Sequence, residues 1–454
     1  MMPTRRTILK GTAALPLLTG GFGLQAQTAQ AASDSPEIPP ILLVHGNGDH
    51  AALWITTRWR MESNAVARDR MFAINFTDPL ARTDDGVTQE NHSSTEQQRR
   101  ELSEAIVELK RRTGAPRVAL VGNSRGGYSI RNLIKNGGGG DVSHAVLCGV
   151  PNHGVYVSDE GLGSEFNGRG PFLRGLNEGE GEVVPGTAFL TLRSDGLDKF
   201  AQGDGRFIGK PGTPTGITAE GPALVGATNL VLGAVDHRET AYHPRAFREI
   251  YKFIAGREPD RVAIVPEAQV KLSGLVTGTP GGVPTNRPVS GSTVEVFRVS
   301  PDSGERIGSV VHGSQTSTDG RWGPAQVDPS WHLEIVLTSP GSTITHFYRS
   351  PFPRSSDVVH LRAARPLGPD ASAGAVVMMS RPRGYFGLPR DVVLLDGKEP
   401  TDVKTGVPTD SITTLRLSAA ELGRPVAGLF NEERIVARAW PASDNRIAVA
   451  ELTY

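Results

Sequence analysis

The stretch VALVGNSRGGYSIRNLI, residues 118–134, constrains the fold of this chain more than any other. An apolar run leads into a serine with a glycine two residues away on each side, and a helix-like pattern follows at once. A strand that turns sharply into a helix needs glycine at those two positions, because a Cβ atom would clash there. The turn lifts the serine hydroxyl clear of the sheet, beside a helix N-terminus that stabilises negative charge. The stretch therefore predicts a nucleophile elbow with Ser124 as the nucleophile.

The residues around this elbow predict an α/β domain over residues 38–256. Short apolar runs alternate with helical patterns, and continuous apolar runs are typical of buried parallel strands. This order predicts βαβ units and a mostly parallel sheet. Strands are expected at 39–44, 71–76, 117–122, 143–150, 187–193 and 230–235, and helices at 94–113, 125–134 and 244–254.

Residues 264–454 have a different pattern. Helical periodicity nearly disappears, and short alternating runs are separated by Gly, Pro, Asp and Ser turns. This pattern predicts an all-β sandwich or barrel. It leaves open whether the region is one unit or two, with a break near residue 366.

The N-terminal residues 1–32 have the order of a secretory signal peptide: a basic start, an apolar middle and an Ala29-Gln30-Ala31 cleavage site. The twin arginine Arg5-Arg6 predicts export by the Tat machinery, and hence a periplasmic or extracellular protein. Pro16 and several glycines interrupt the apolar segment, so we expect no membrane span in the mature protein.

Charge and cysteine content exclude two classes of function. The chain has 48 basic and 48 acidic residues, without the basic excess of a nucleic-acid-binding protein. Its single cysteine, Cys148, excludes an intrachain disulfide and a thiolate zinc site. The sequence offers no persuasive carboxylate cluster for calcium, and we expect no metal or cofactor.

A serine nucleophile needs a histidine base and a carboxylate that orients the histidine. After a nucleophile elbow the acid comes next in the chain and the base last. Asp195 directly follows a predicted strand and is the preferred acid, with Asp198 as its rival. His237 follows the last predicted strand and is the preferred base, with His243 as the alternative.

An oxyanion hole needs two preorganised N–H donors. One is expected to be the amide of Arg125, which follows the nucleophile. The other is expected in the loop HGNG after the first strand, where we choose the amide of Asn47. His45 in the same loop is expected to hold the loop's geometry, because the triad already supplies a base.

Five motifs carry a family resemblance: LVHG at 43–46, GNSRGG at 122–127, GVPNHG at 149–154, RSD at 193–195 and DH at 236–237. Together they resemble the bacterial α/β-hydrolase lipases and esterases, with lipase class 2 as the nearest group. The resemblance implies that the matching Ser124, Asp195 and His237 form the triad. Two residues depart from the usual pattern: Asn123 stands where such lipases have histidine, and Arg125 where they have a small or apolar residue.

The layout with a β-rich C-terminal region also resembles an archaeal-type two-domain lipase, whose C-terminal β-barrel binds lipid. The sequence therefore favours a secreted carboxylic-ester hydrolase acting on lipid or other esters. The alternatives are a polyester depolymerase, another acyl hydrolase on the same fold, or a non-catalytic surface-binding protein. Aromatic residues of the C-terminal region are candidates for surface contact or for its core: Trp322, Trp331, Phe347, Tyr348 and Phe352. A charge at position 125 weakens the case for long acyl chains, and the loop region 152–186 is more polar than a hydrophobic lid.

Overall fold

The first half of the chain builds one six-stranded parallel sheet. The computed structural model describes residues 37–208, 212–219 and 221–454, so the predicted leader at 1–32 lies outside the described residues. The strands are β1 Ile41–Val44, β2 Met71–Ala73, β3 Leu80–Ala81, β4 His92–Ser93, β5 Val118–Asn123, β6 Val142–Cys148, β7 Ala188–Ser194 and β8 Thr228–Leu232. The sheet order is β2-β1-β5-β6-β7-β8, with β3 and β4 as a separate short pair.

Helices cover both faces of this sheet, as an α/β-hydrolase fold requires. One apolar core cluster joins a face of the sheet to the helices around residues 55–63 and 244–255, and a second joins the other face to those at 95–113 and 125–135. Every residue of β1 and β5 is buried, which explains their continuous apolar sequences. The helices are α1 Ile55–Ser63, α2 Thr95–Thr113, α3 Arg125–Lys135, α4 Pro171–Leu176, α5 Glu239–Tyr242 and α6 Pro244–Ala255.

Local signals placed the long helix α2 correctly. Ser94 accepts a hydrogen bond from the Gln97 amide, and the Gln97 side chain accepts one from the Ser94 amide, which completes the capping box. At the other end Gly114 has φ +68°, a left-handed conformation that suits glycine. Helix α1, which the sequence did not predict, has buried threonine and arginine side chains among its apolar ones.

The second half of the chain is all β, as predicted. Its largest sheet has the order β11-β10-β13-β14-β21-β16-β18, and strands from both sides of residue 366 pair within it. Two three-stranded sheets, β12-β9-β15 and β17-β19-β20, accompany it. The strands are β9 Val270–Thr277, β10 Thr293–Val299, β11 His312–Gln315, β12 Arg321–Val327, β13 His332–Thr338, β14 Ile344–Arg349, β15 Leu361–Arg362, β16 Ala375–Ser380, β17 Val393–Leu395, β18 Ile412–Leu417, β19 Pro425–Phe430, β20 Glu433–Arg438 and β21 Arg446–Glu451.

Helix α1 joins the two halves, and residues 37–454 form one compact unit. Ile55 and Trp59 belong to the same apolar cluster as strands β9, β10 and β12. The Trp59 indole donates to the Ser355 carbonyl at 3.0 Å, and Arg58 forms an ion pair with Asp357. The β region is therefore packed into the hydrolase half rather than appended to it.

The aromatic residues considered for surface contact are mostly core. Trp322, Phe347, Tyr348 and Phe352 are buried, and Trp331 is partly buried. The Trp322 indole donates to the Val359 carbonyl at 3.1 Å, which satisfies its polar atom inside the core. These side chains stabilise the β region. Within the described part of the chain, we find no helix with the length and apolar character needed to cross a bilayer.

Candidate active site

Ser124 occupies the strained turn between β5 and α3. Its φ and ψ are 53° and −126°, a conformation that non-glycine residues rarely adopt. A Cβ atom on Gly126 would lie 2.5 Å from the His45 carbonyl oxygen, and one on Gly122 would lie 2.6 Å from the Ile130 side chain. The two glycines of the motif thus allow the turn to fit between β1 and α3.

His237 lies in the loop after β8 and is bonded to a carboxylate. Its Nδ1 is 2.7 Å from Asp198 Oδ2, and both side chains are buried. The other oxygen of Asp198 accepts from the Phe200 amide at 2.8 Å. The Phe200 ring meets the imidazole edge to face, with 4.6 Å between ring centroids. Because Asp198 occupies Nδ1 and Phe200 holds the ring, Nε2 of His237 is the nitrogen available for proton transfer.

Asp195, the aspartate preferred from the sequence, does not contact His237. It is exposed, and its Oδ2 accepts from the Ala234 amide at 2.8 Å. Strand β7 ends at Ser194, and Gly196 then turns the chain with φ +117°. Asp198, three residues after Asp195, reaches the Nδ1 of His237. The structure therefore corrects the choice between the two aspartates: Asp198 is the partner of His237.

Two other histidines have structural contacts. His243 caps helix α6 by accepting from the Arg245 amide at 3.2 Å, and burial lowers the pKa of His243 to about 4. His45 Nδ1 donates to the Gly46 carbonyl, and its Nε2 accepts from the Phe76 amide at 3.1 Å. Burial lowers the pKa of His45 to about 4. A neutral His45 holds the loop after β1, as expected.

Asn123, which directly precedes Ser124, contacts the backbone of His237. Its Nδ2 donates to the Cys148 carbonyl at 3.0 Å and to the His237 carbonyl at 3.2 Å. Gly149 approaches the same carbonyl, since a Cβ atom there would lie 2.8 Å from it. The residue before the nucleophile thus fixes the backbone of His237.

The Arg125 side chain is fully buried and bonded away from the nucleophile. Its Nε and Nη2 donate to the two carboxylate oxygens of Glu165 at 2.6 and 2.8 Å. Its remaining N–H groups donate to the Pro79 carbonyl and to the hydroxyl and carbonyl of Ser93. All five donors of the guanidinium are used. The charge at position 125 is therefore no obstacle to an apolar acyl group.

The loop after β1 lies directly against the nucleophile. A Cβ atom on Gly46 would be 2.9 Å from the Ser124 Cβ, so only glycine fits there. The Asn47 side chain turns aside and accepts from the Ala81 amide at 2.7 Å. The amide of Arg125 is the first of helix α3, where backbone N–H groups have no acceptor within the helix.

Ser124 and His237 line one cavity of about 270 Å³. Much of the remaining wall is apolar and comes from separate parts of the chain: Pro151, Val155, Tyr156, Phe166, Phe200, Phe207 and Tyr385. The polar wall residues include Asn47, Asp49, Asn123 and Arg238. Asp49 lies 3.7 Å from the Arg238 guanidinium. The cavity can hold an apolar group with its polar end at Ser124.

The segment 152–186 contributes to the cavity through residues that the sequence did not single out. Val155, Tyr156 and Phe166 line it. Leu173 and Leu176 of α4, in the same segment, are buried in the hydrolase core and do not line the cavity.

Sequence reasoning also missed the contribution of the C-terminal region. Tyr385 lies in the loop RPRGYFGLPRD, residues 381–391, and reaches the cavity from the β half of the chain. Lys199 Nζ lies 4.0 Å from the centre of the Tyr385 ring, and the Arg238 guanidinium lies 5.4 Å from it. The sequence signal that could have indicated this loop is its three arginines within eleven residues of an otherwise all-β region.

Comparison with known proteins identifies two parts of the chain. Residues 39–165 match the family model for lipases of class 2, and residues 268–366 match the model for a lipase C-terminal domain.

Among solved structures, the chain is similar to Aspergillus fumigatus lipase B, with 16% identity, a TM-score of 0.35, and 49% of this chain and 54% of that chain covered. It thus spans about half the length of that protein. The mature Bacillus licheniformis lipase BlEst2 has 19% identity and a TM-score of 0.34 over 48% of this chain and 93% of that chain. Bacillus subtilis carboxylesterase CesB has 12% identity and a TM-score of 0.27 over 49% and 85%. Residues 39–165 are therefore similar to the class 2 lipases and belong to an α/β-hydrolase fold, and residues 268–366 are similar to a lipase C-terminal domain.

Proposed function

We propose that this protein hydrolyses carboxylic esters through a triad of Ser124, His237 and Asp198. One observation carries the proposal: a serine on a strained elbow and a histidine bonded to a buried aspartate line the same apolar cavity. The match to class 2 lipases over residues 39–165 supports ester hydrolysis in general. The three residues are the groups that would carry out its individual steps.

In the first step His237 Nε2 accepts the Ser124 proton while Ser124 Oγ attacks the ester carbonyl carbon. The Nδ1–H of the resulting imidazolium donates to Asp198, which holds the ring in position and stabilises its charge. The imidazolium then protonates the departing alcohol, which leaves Ser124 acylated. Water deprotonated by His237 attacks the acyl group, and the carboxylic acid leaves with Ser124 restored.

The oxyanion that forms in both steps is stabilised by the amides of Asn47 and Arg125. The Arg125 amide is at the N-terminus of α3, where the helix dipole also favours negative charge. The Asn47 amide belongs to the loop that packs on the Ser124 Cβ through Gly46.

The cavity favours esters with a short or medium apolar acyl chain. Its volume of about 270 Å³ lies at the lower end of ligand pockets, and much of its wall is aromatic or aliphatic. A long acyl chain would extend beyond the walls of a cavity of this volume.

The experiment is a series of p-nitrophenyl esters from acetate to palmitate, on the mature protein from about residue 32. We expect activity to peak at butyrate to octanoate and to disappear in the Ser124→Ala variant. A phosphonate that reacts with activated serines should label Ser124 in the parent enzyme. Absence of both labelling and Ser124-dependent hydrolysis would overturn the proposal, and activity rising to palmitate would overturn the size limit.

We also propose that residues 1–32 direct Tat export to the periplasm or medium. The twin arginine, apolar segment and cleavage site of the sequence support this. Replacing Arg5 and Arg6 by lysine should retain the full-length chain in the cytoplasm. Unchanged export of that variant would contradict it.

A further inference from the structure

The backbone around His237 is held by a reciprocal pair of acidic side chains. Asp236 Oδ1 accepts from the Arg238 and Glu239 amides at 2.9 Å each, and Glu239 Oε2 accepts from the Asp236 amide at 2.7 Å. This is the arrangement of a capping box, with His237 inside it. Displacement of either carboxylate would therefore move the imidazole.

One guanidinium from the C-terminal region joins these two carboxylates. Arg381 Nη1 donates to Asp236 Oδ2 at 3.0 Å, and its Nη2 donates to Glu239 Oε1 at 2.5 Å. The same loop also supplies the Tyr385 amide, 2.9 Å from Asp236 Oδ2, and Arg390 Nη1, 2.8 Å from Glu239 Oε2.

The two carboxylates are buried close to each other and depend on these cations. Asp236 and Glu239 are 0% and 5% exposed. Burial would raise the pKa of Glu239, but the guanidinium groups of Arg381 and Arg390 hold it below its ordinary value. Without the arginines, the two buried carboxylates would repel each other strongly, because the protein interior screens charges poorly.

We propose that Arg381 is a positioning residue for His237, acting through Asp236 and Glu239. The active site is then complete only with the C-terminal region in place. The inference rests on the proposed function, because it assumes that His237 is the base. It assigns to the β region a role in the chemical step, beyond any role in holding substrate.

The structure offers two independent ways to disturb this contact. Lysine in place of Arg381 keeps one charge but cannot bridge two carboxylates as a planar guanidinium does. Alanine in place of Gly384 keeps every charge, and its Cβ would strike the Arg381 guanidinium and the Tyr242 hydroxyl. Neither Arg381 nor Gly384 lines the cavity itself, although both contact Tyr385, which does, so KM is measured beside kcat.

Each variant has a matched control in the β region. Arg349 is a buried arginine that pairs with Glu451, so Arg349→Lys matches Arg381→Lys. Gly313 has open space around it, so Gly313→Ala matches Gly384→Ala.

The test measures kcat and KM for p-nitrophenyl butyrate and the rate of phosphonate labelling of Ser124 in the folded full-length mature variants. A misplaced base lowers kcat, and displacements of about 1 Å cost up to roughly 100-fold. We expect Arg381→Lys and Gly384→Ala to lower kcat and the labelling rate together by roughly 10- to 100-fold, with KM within about twofold. The controls should retain the parent values.

If Arg381→Lys and Gly384→Ala keep the kcat of their controls and lose only thermal stability, Arg381 is a structural residue and the inference fails. That result leaves the proposed function intact, provided that Ser124→Ala still abolishes hydrolysis. If one of the two variants does not fold, the other decides by the same criterion.

Discussion

The two halves of this molecule contribute to the cavity in different ways. The hydrolase half places the proposed nucleophile Ser124, the proposed base His237 and the loop at 45–48 at the carboxyl ends of parallel strands, one to five residues after each strand ends. The β half reaches the same cavity through one loop at 381–391, far along the chain. Chemistry at strand ends follows from topology, whereas a contact across two sheets depends on how whole regions pack.

Removing the nucleophile should have the largest effect. Ser124→Ala should lower kcat for p-nitrophenyl butyrate by roughly 10⁴-fold or more, because no other group can form the acyl-enzyme. Ser129→Ala is the matched control on helix α3; that hydroxyl bonds to Gln98 and does not line the cavity. If the two variants had equal kcat, Ser124 would not be the nucleophile and the proposed mechanism would be wrong.

The choice between the aspartates should have the second largest effect. Asp198→Asn should lower kcat by roughly 10³- to 10⁴-fold, because an amide stabilises the wrong tautomer of His237. Asp195→Asn should leave kcat close to the parent value, since Asp195 bonds to the Ala234 amide and not to His237. The reverse outcome would restore the aspartate preferred from the sequence.

Acid should weaken the contact between the halves. The His50 ring of the hydrolase half stacks on His360 of the β half, with 3.6 Å between centroids, and neighbouring His45 is buried. Burial lowers the pKa of His45 to about 4 and holds those of His50 and His360 well below their ordinary value. Below pH 6.5 the unfolded chain therefore binds more protons than the folded chain, and stability falls as the pH falls.

For His45 alone, the free energy of unfolding should decrease by about 2 kcal/mol between pH 8 and pH 5. Urea unfolding at the two pH values measures the loss, and His360→Gln should reduce it by removing one proton-binding group. An unfolding midpoint that does not change between pH 8 and pH 5 would contradict this expectation.

Truncating the aromatic wall from the β half should have the smallest effect. Tyr385→Ala enlarges the cavity, so KM for p-nitrophenyl butyrate should rise by about tenfold and the preferred acyl chain should lengthen. Phe72→Ala, at an exposed aromatic of strand β2, is the control. An unchanged chain-length profile would mean that Tyr385 does not contact the acyl group.

The sequence predicted those features that are determined by local geometry. The elbow at Ser124 follows from glycines two residues away on each side, and the capping box of α2 from Ser94 and Gln97. The location of His237 after the last strand follows from strand order. Each of these depends on neighbours within a few residues or on the order of βαβ units.

Other features depend on partners far along the chain. Arg125 seemed a charge beside the oxyanion, because Glu165, which neutralises it, is forty residues away. Which of Asp195 and Asp198 reaches His237 depends on the path of the turn through Gly196, and the sequence does not give that path. Helix α1 was missed because Arg58, a charged residue on its buried surface, is paired with Asp357 of the β half.

The buried pair of Arg125 and Glu165 has a consequence for how substrate arrives. Glu165 lies beside Phe166, so the wall that contains Phe166 is anchored to the base of the nucleophile helix. Swinging this wall aside would expose two charges that are now 1% exposed each. Breaking a buried ion pair is costly, because each charge is left without its partner. Turnover should therefore follow the concentration of dissolved ester, with no jump when the ester begins to form droplets or micelles.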